Sequence, residues 1–539
     1  MSKTRKLITA IALVLALAVV VAAAILTHEN GAGNTAWALL APIIAIALAL
    51  ITKEVYSSLF IGVVVGALLY SKSSFIGTVD TVINDGLITA VADSAGIFIF
   101  LVLLGIIVAL VNKSGGSQAF GRWAKTHIKS KVGALIATFI LGVLIFIDDY
   151  FNCLTVGSVM APVTDSHKIS RVKLAYIIDA TAAPICMIAP ISSWAAAVSG
   201  SVEGASYSGL ELFVRAIPFN FYSLLTIVFV VGLAIMGFDY GKMSGFEIKA
   251  QNGDLYGNKD RQQAEESEAF NEKGRVIDLL LPIVLLIVLS VIGLIYVGGF
   301  FGVDAWGGTD YKGDFIGAFG NTDAYIGLPW GGLISLVVIV VYLIARRLVT
   351  FKEAMACIPK GFVAMVPAIL ILTLATALKN VTGLLGADVF VGEMMRGFPE
   401  ALAKLLPAAI FLVASILAFA SGTSWGTFGI LIPIVTAMFD EANPLFFIGI
   451  SACLAGAVLG DHCSPISDTT IMASAGAQCN HVDHVSTQLP YAISVGAISL
   501  VMFVFAGYVQ NAIISLAVGT VLTLAFLFIM KAIAKKKKA

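Results

Sequence analysis

Gly460–Asp468 reads GDHCSPISD and closes a run of almost purely apolar residues. Two acids, a histidine and two serines beside a proline suit proton or cation handling, because Pro465 cannot donate an amide hydrogen bond and breaks a helix. Asp461, His462, Ser464, Ser467, Asp468, Thr469 and Thr470 supply the polar atoms. A histidine near neutral pH beside two acids can move protons, and aspartate alone can trade a proton for a cation when burial raises its pKa. The plainer alternative is a helix end capped by aspartates.

A second patch, IDDYFNCLTVGS, brings Asp148, Asp149, Asn152, Thr155 and Ser158. Adjacent aspartates on a helix face different directions, so one can line a cavity while the other caps the next segment. Asn152, Thr155 and Ser158, three residues apart, fall roughly on one face, and hard cations take carboxylate, carbonyl and hydroxyl oxygens. An extracellular turn with an Asp cap is the competing reading. Asp179 comes late in an apolar run, with Thr181 and Pro184 after it. In the later half Ser421, Thr423, Ser424 and Thr427 alternate with Gly422, Gly426 and Gly429. Glycines let backbone approach a ligand closely, although small residues also serve tight helix packing. Asp149, Asp179, Asp461 and Asp468 are the expected cation ligands.

The elements that must hold these residues are membrane helices. The chain of 539 residues is 59% hydrophobic and 12% charged, with mean hydropathy +0.97, against roughly 25% charged in ordinary soluble proteins. Lys+Arg and Asp+Glu balance at 33 each, leaving no basic surplus for nucleic acid. The lipid bilayer and a small ion or small-molecule substrate are the expected partners. The six cysteines are scattered with no CxxC pair, so neither a disulfide framework nor a Cys-rich zinc site is indicated. Cys479, His481 and His484 lack a fourth zinc ligand at suitable spacing and leave open a pH-sensing or structural loop.

Counting a crossing as ~20 mostly apolar residues, spans are expected at 7–26, 36–52, 54–70, 94–112, 174–200, 211–237, 276–297, 329–345, 354–378, 487–509 and 511–532. Segments 132–147 with 150–164, 402–420 with 421–439, and 445–475 are apolar but interrupted. The run 7–26 is longer than the core of a cleaved signal peptide and reads as a retained first span. Lysine and arginine cluster at both ends and at 113–131, 168–173 and 346–352, which predicts both termini in the cytoplasm.

TVGSVMAPV after DDYFNC and TFGILIPIV after SGTSWG are alike, as are IIDATAAP and LGDHCSP. With the predicted orientation these repeats are inverted, the architecture of many secondary transporters. The expected organisation is N-terminal spans 1–92, a first repeat 93–237, a cytoplasmic linker 238–275, a second repeat 276–510, and a last span with a basic tail 511–539. The fold class is therefore an all-α polytopic membrane protein, an inverted-repeat secondary transporter with broken helices. No P-loop, dinucleotide fingerprint or hydrolase triad is present, so an ATP-driven pump or membrane hydrolase is unsupported.

Gly460–Ala492, GDHCSPISDTTIMASAGAQCNHVDHVSTQLPYA, with SGTSWGTFGILIPI before it, resembles the NhaC family of sodium/proton antiporters within the wider ion-transporter superfamily. Weaker likeness extends over most of the chain, including DDYFNCLTVGSVMAPVTD. The resemblance implies a sodium-coupled secondary transporter of the bacterial inner membrane, with Na⁺ and H⁺ as coupling ions and no other cofactor. It also implies re-entrant hairpins, a homodimer and an elevator-like movement. Two functions stay open: Na⁺/H⁺ exchange at the acids of the breaks, or Na⁺-coupled transport of a small amino acid or organic acid. In the second, stretch 421–429 would meet a carboxylate.

Overall fold

Backbone amides and carbonyls in a bilayer must be satisfied within the segment that carries them, and the apolar runs answer by forming helices. The computed structural model describes residues 17–29, 31–52, 55–199, 207–257, 271–387, 389–390, 393, 399–465 and 467–538, among which there are helices and no strand. Eight of the described helices are long and apolar enough to cross a membrane. A ninth candidate, Phe351–Leu384, bends by 45° between Val366 and Ile369, where Pro367 removes a ladder hydrogen bond. Of the expected first span, residues 7–16 lie outside the described residues, and a helix runs over Leu17–Thr27.

Three stretches differ from expectation. Phe75–Asp93 is a span-length helix with a π-helical middle, Thr81–Ile88, although no span was expected there. Asp80, Asp85 and Asp93 lower its hydropathy enough to hide it. The run 174–200 is not one span. It divides into α3 (Arg171–Thr181), a single turn Ala183–Cys186, and α4 (Ser193–Ser199), with Pro184 and Pro190 interrupting the ladder. The run 211–237 also breaks, at the 3₁₀ turn Ile217–Phe219, before Asn220 caps α5 (Phe221–Met236).

The interrupted segments break where the polar patches stand. Ser130 caps α1 (Lys131–Leu144), which ends just before Asp148, and α2 (Asp149–Ser166) begins after it. In the later half α7 (Leu406–Ser421) ends at left-handed Gly422, and Thr423 caps α8 (Ser424–Met438). Then α9 (Leu445–Cys463) stops before Pro465, and Ser467 caps α10 (Asp468–Gly476). Asn480 caps the long α11 (His481–Val509).

Helix α9 is the centre of the bundle, buried along nearly its whole length and packed on α7, α8 and α11. Gly460 makes this approach feasible: a Cβ there would lie 2.2 Å from the Ser415 carbonyl oxygen. Helices α2 and α10 touch in the same way at Gly157 and Gly476, which brings the two halves of the chain together beside their breaks.

The segment expected to be a linker begins with a docked helix, α6 (Gly241–Gln251). Glu247 accepts from Lys131 Nζ at 2.5 Å, from the Ser170 amide at 2.8 Å and from Ser170 Oγ at 2.7 Å. Asp239, just before it, pairs with Lys173 and accepts from Tyr491 OH at 2.7 Å. The basic segments 113–131, 168–173 and 346–352 are thus tied to residues 239–278, through these pairs and through Asn271, whose amide donates to the Lys113 carbonyl and whose Nδ2 donates to that of Leu348.

Candidate functional site

Every residue of α3 is buried, and near its end Asp179 sits at 0% exposure. Asp179 Oδ2 accepts from Thr470 Oγ1 at 2.9 Å and from Gln488 Nε2 at 2.6 Å. Its Oδ1 has no hydrogen-bond partner among the described residues. The nearest groups able to carry positive charge are His462 and His484, each with Nε2 3.9 Å from a carboxylate oxygen. No lysine or arginine among the described residues ion-pairs with it.

The surrounding groups come from α5, α9, α10 and α11. His462, at the end of α9, hydrogen-bonds through Nδ1 with Tyr222 OH at 3.0 Å and through Nε2 with the Asp179 carbonyl at 3.1 Å. Gln488 donates to the His462 carbonyl at 2.9 Å, while its Oε1 meets His484 Nε2 at 3.0 Å. Ser474 Oγ lies 2.9 Å from His484 Nδ1 and 3.1 Å from His481 Nδ1, and His481 Nε2 is 2.8 Å from the Pro465 carbonyl. Both ring nitrogens of His481 and of His484 are therefore engaged with serine, amide or carbonyl oxygens.

Asp461 is buried one residue before His462, and its Oδ2 accepts from Thr469 Oγ1 at 2.8 Å. Ser467 Oγ accepts from the Thr470 amide at 3.1 Å and lies 3.1 Å from Thr469 Oγ1. Ser464 donates to the Phe419 carbonyl at 2.6 Å, fixing the break to α7. The side chains of Asp468, Ser421 and Ser158 lie outside the described residues.

At the first-half break, Asp148 and Asp149 are both buried, and Asp148 Oδ2 accepts from Ser193 Oγ at 3.2 Å. Cys153, one turn after Asp149, donates to the Thr469 carbonyl at 3.7 Å, so this break abuts the second-half break. Asn152 is anchored through its amide nitrogen, and its buried Oδ1 has no hydrogen-bond partner among the described residues. Its Nδ2 donates to the carbonyls of Gly142 at 2.6 Å, Thr181 at 3.0 Å and Ile145 at 3.1 Å. It ties together the broken ends of α1 and α3, where the Gly142 carbonyl also accepts from the Ile145 amide at 3.2 Å and the last carbonyls of a helix run out of intrahelical donors. Thr155 is buried on the same helix.

Three hydroxyls at the start of α8 meet backbone groups. Thr423 Oγ1 accepts from the Gly426 amide at 3.4 Å, Thr427 donates back to the Thr423 carbonyl at 2.9 Å, and Ser424 donates to Ala457 of α9 at 3.1 Å.

Gln488, Tyr222 and the buried position of His484 complete the site without having been expected there. His484 and Gln488 stand four apart on α11 and share a face, the one sequence signal available for the pair. His481 and His484 belong to the first turns of α11 rather than to a loop, and among the described residues no three His, Cys, Asp or Glu side chains gather as metal ligands. Tyr222 carries no such signal.

Chemically, this is a buried carboxylate with two neutral donors, one oxygen in reserve and two imidazoles beside it. Such a group can take up either a proton or a small cation, and burial of an unbalanced charge makes one of the two obligatory.

The model of the Na⁺/H⁺ antiporter family matches residues 194–508. That span includes Asp461, His462, Thr470, His484 and Gln488 and leaves out the first break and Asp179. An uncharacterised protein of Haemophilus influenzae is 36% identical over 515 residues, covering 92% of this chain and 96% of its own. The malate-2H⁺/Na⁺-lactate antiporter of Bacillus subtilis is 31% identical over 103 residues, 19% of this chain and 22% of its own. The arginine/ornithine antiporter ArcD of Halobacterium salinarum is 36% identical over 110 residues, with the same coverage of 19% and 22%. With its apolar helices and buried polar breaks, this is a multi-pass membrane transporter, and it belongs to the Na⁺/H⁺ antiporter family.

Proposed function

We propose that this protein exchanges Na⁺ for H⁺ across the bacterial inner membrane, with Asp179 as the group that carries one or the other. The observation behind the reading is that Asp179 is fully buried and, among the described residues, has an oxygen without a hydrogen bond and no lysine or arginine paired with it. Thr470 and Gln488 hold its Oδ2, and Oδ1 is left to the incoming ion. Asp461, whose Oδ2 is held by Thr469, and Asp149 supply further carboxylates at the neighbouring breaks.

Because proton and Na⁺ compete for the same carboxylates, each loading displaces the other, and this coupling needs no further energy source. Na⁺ takes carboxylate, hydroxyl and carbonyl oxygens, and helix ends at breaks supply the carbonyls. The distribution of lysine and arginine supports an orientation with both termini in the cytoplasm. Na⁺-evoked dissipation of a pH gradient in proteoliposomes tests the reading, and an absence of proton movement at every pH would overturn it.

A second reading adds an organic cargo: Na⁺- or H⁺-coupled transport of a small carboxylate or amino acid. It is favoured by α8, whose buried N-terminal turn opens on SGTSWG, and by relatives named as antiporters of lactate, malate, arginine and ornithine. Accumulation of a labelled solute that requires a Na⁺ gradient would decide for it.

A further inference from the structure

Two tryptophans meet where the first-half break after α3 approaches the break before α8. Trp194 is the second residue of α4, and Trp425 the second residue of α8. Their ring centroids are 5.9 Å apart with planes at 71°, and both rings pack on Phe428, at 5.8 and 6.1 Å. Both side chains are buried, at 0% and 2% exposure, and neither indole N–H has an acceptor among the described residues.

An indole nitrogen can only donate, and a buried tryptophan N–H ordinarily finds a partner. Leaving one unmade costs the full desolvation of the donor. Phenylalanine would fill most of the same space without that cost. Two orphaned donors on helices from opposite halves of the chain are thus a feature that packing alone does not explain.

Their surroundings specify what they would meet. Residues Ser424 and Trp425 open α8, where amides precede the helix's own hydrogen-bond ladder and the helix dipole favours negative charge. On the other side, Ser193, next to Trp194, donates to Asp148 Oδ2 at 3.2 Å, so a carboxylate that can face a cation or an amine stands nearby. The aromatic walls suit a short carbon skeleton. An anionic group with several acceptor lone pairs and an apolar stem fits this environment.

We propose that Trp194 and Trp425 donate their indole N–H groups to the carboxylate of a small organic solute, which is bound between the two halves of the chain. The proposal rests on the reading with an organic cargo and goes beyond it by assigning the residues that recognise the carboxylate. These two tryptophans select for an organic anion and leave Na⁺ to the acids around Asp179.

The test is a binding measurement on the purified full-length protein at fixed Na⁺, by thermal shift and calorimetry, with lactate, malate and arginine as probes and chloride and phosphate as controls. At least one carboxylate should bind while the inorganic anions do not, and Trp194→Phe and Trp425→Phe should each weaken that binding about tenfold or more, as expected for a lost hydrogen bond to a charged group. If none of the three organic probes binds, the organic-cargo reading and this assignment fall together. Should a probe bind equally well to wild type and both Phe variants, only the assignment falls. Vibrational spectroscopy of the indole N–H in the wild-type protein decides the matter independently of variant folding. The band should move toward its hydrogen-bonded position on saturation with the bound probe, and an unmoved band would overturn the assignment.

Discussion

Asp179 and Asp278 are both aspartates at 0% exposure within apolar helices, and their partners could hardly differ more. Asp278 Oδ2 accepts from Arg346 at 2.9 Å and from the Arg275 amide at 2.7 Å, and its Oδ1 accepts from Tyr342 OH at 2.6 Å. A guanidinium does not release its proton, so the charge of Asp278 is neutralised permanently. Asp179 has a threonine, a glutamine and two imidazoles. Nothing within the described protein permanently balances its charge. One acid is completed by the fold, and the other is completed by whatever enters the site.

The largest expected effect follows directly. Asp179→Asn should reduce Na⁺-evoked proton movement in proteoliposomes by about a hundredfold or more, since the carboxylate at the centre of the site can no longer ionise. Its thermal stability should hold or rise, because an unbalanced buried charge is removed. Asp278→Asn should do the reverse. It leaves Arg346 without its partner, and breaking a buried pair costs about 3–5 kcal/mol. Here the cost is nearer 2 kcal/mol, since Arg346 is 27% exposed and water screens it. Exchange per folded molecule should be retained. A melting curve and a flux assay on both variants check this, and a stability loss in Asp179→Asn with normal flux would reverse the assignments.

Next in size is the donor shell. Gln488→Leu removes the 2.6 Å donor to Asp179 Oδ2 and also the partner of His484 Nε2. A hydrogen bond to a charged group is worth about 1.5–3 kcal/mol, so the Na⁺ concentration for half-maximal exchange should rise about tenfold or more. Tyr342→Phe removes a donor of similar geometry from Asp278 and should leave Na⁺ dependence unchanged. Equal shifts in the two variants would mean that the contrast between the two acids has no functional content.

A third measurement extends the contrast to the docked helix Gly241–Gln251. Glu247 resembles Asp278: three donors hold it, Lys131 among them. Glu247→Gln should lower thermal stability by about 1–2 kcal/mol, in line with a lost charge-assisted bond, without a change in Na⁺ half-saturation. A shift in that half-saturation would mean that the docked helix also acts on the ion site.

The sequence made Asp179, Asp461 and His462 legible because ionisable residues are costly in an apolar run and the nearby prolines marked breaks. The apolar runs themselves carried the all-helical membrane fold. What could not be read was the pairing across the chain. Gln488 lies 309 residues from Asp179 and reaches it only because α3 and α11 pack side by side. Asn152 was equally opaque, because its three carbonyl partners come together only once α1 and α3 have broken. Average apolarity misled in both directions, joining α3 to α4 across the turn that ends at Ser192 and concealing Phe75–Asp93 behind three aspartates.

The smallest expected effect concerns an acid outside the membrane spans, in the turn after Ile277–Val297. Asp304 Oδ1 accepts from the amides of Gly308 at 2.6 Å and Trp306 at 2.9 Å, and Oδ2 accepts from Asn321 Nδ2 at 3.1 Å. These donors, the Gly308 amide first, hold its carboxyl below the usual carboxylate range. A depressed folded-state pKa contributes stability that is present above the unfolded value and is lost as pH falls through the folded one. The turn should therefore be fully ordered at neutral pH and loosen only below the ordinary aspartate range. Amide exchange at Gly308, corrected for its intrinsic pH dependence, should show protection falling there in the wild type, while Asp304→Ala should show low, pH-independent protection throughout. Like Asp278, this acid is completed by the fold, so the same substitution should leave Na⁺ half-saturation where it was, and a shift would mean that the turn belongs to the transport pathway.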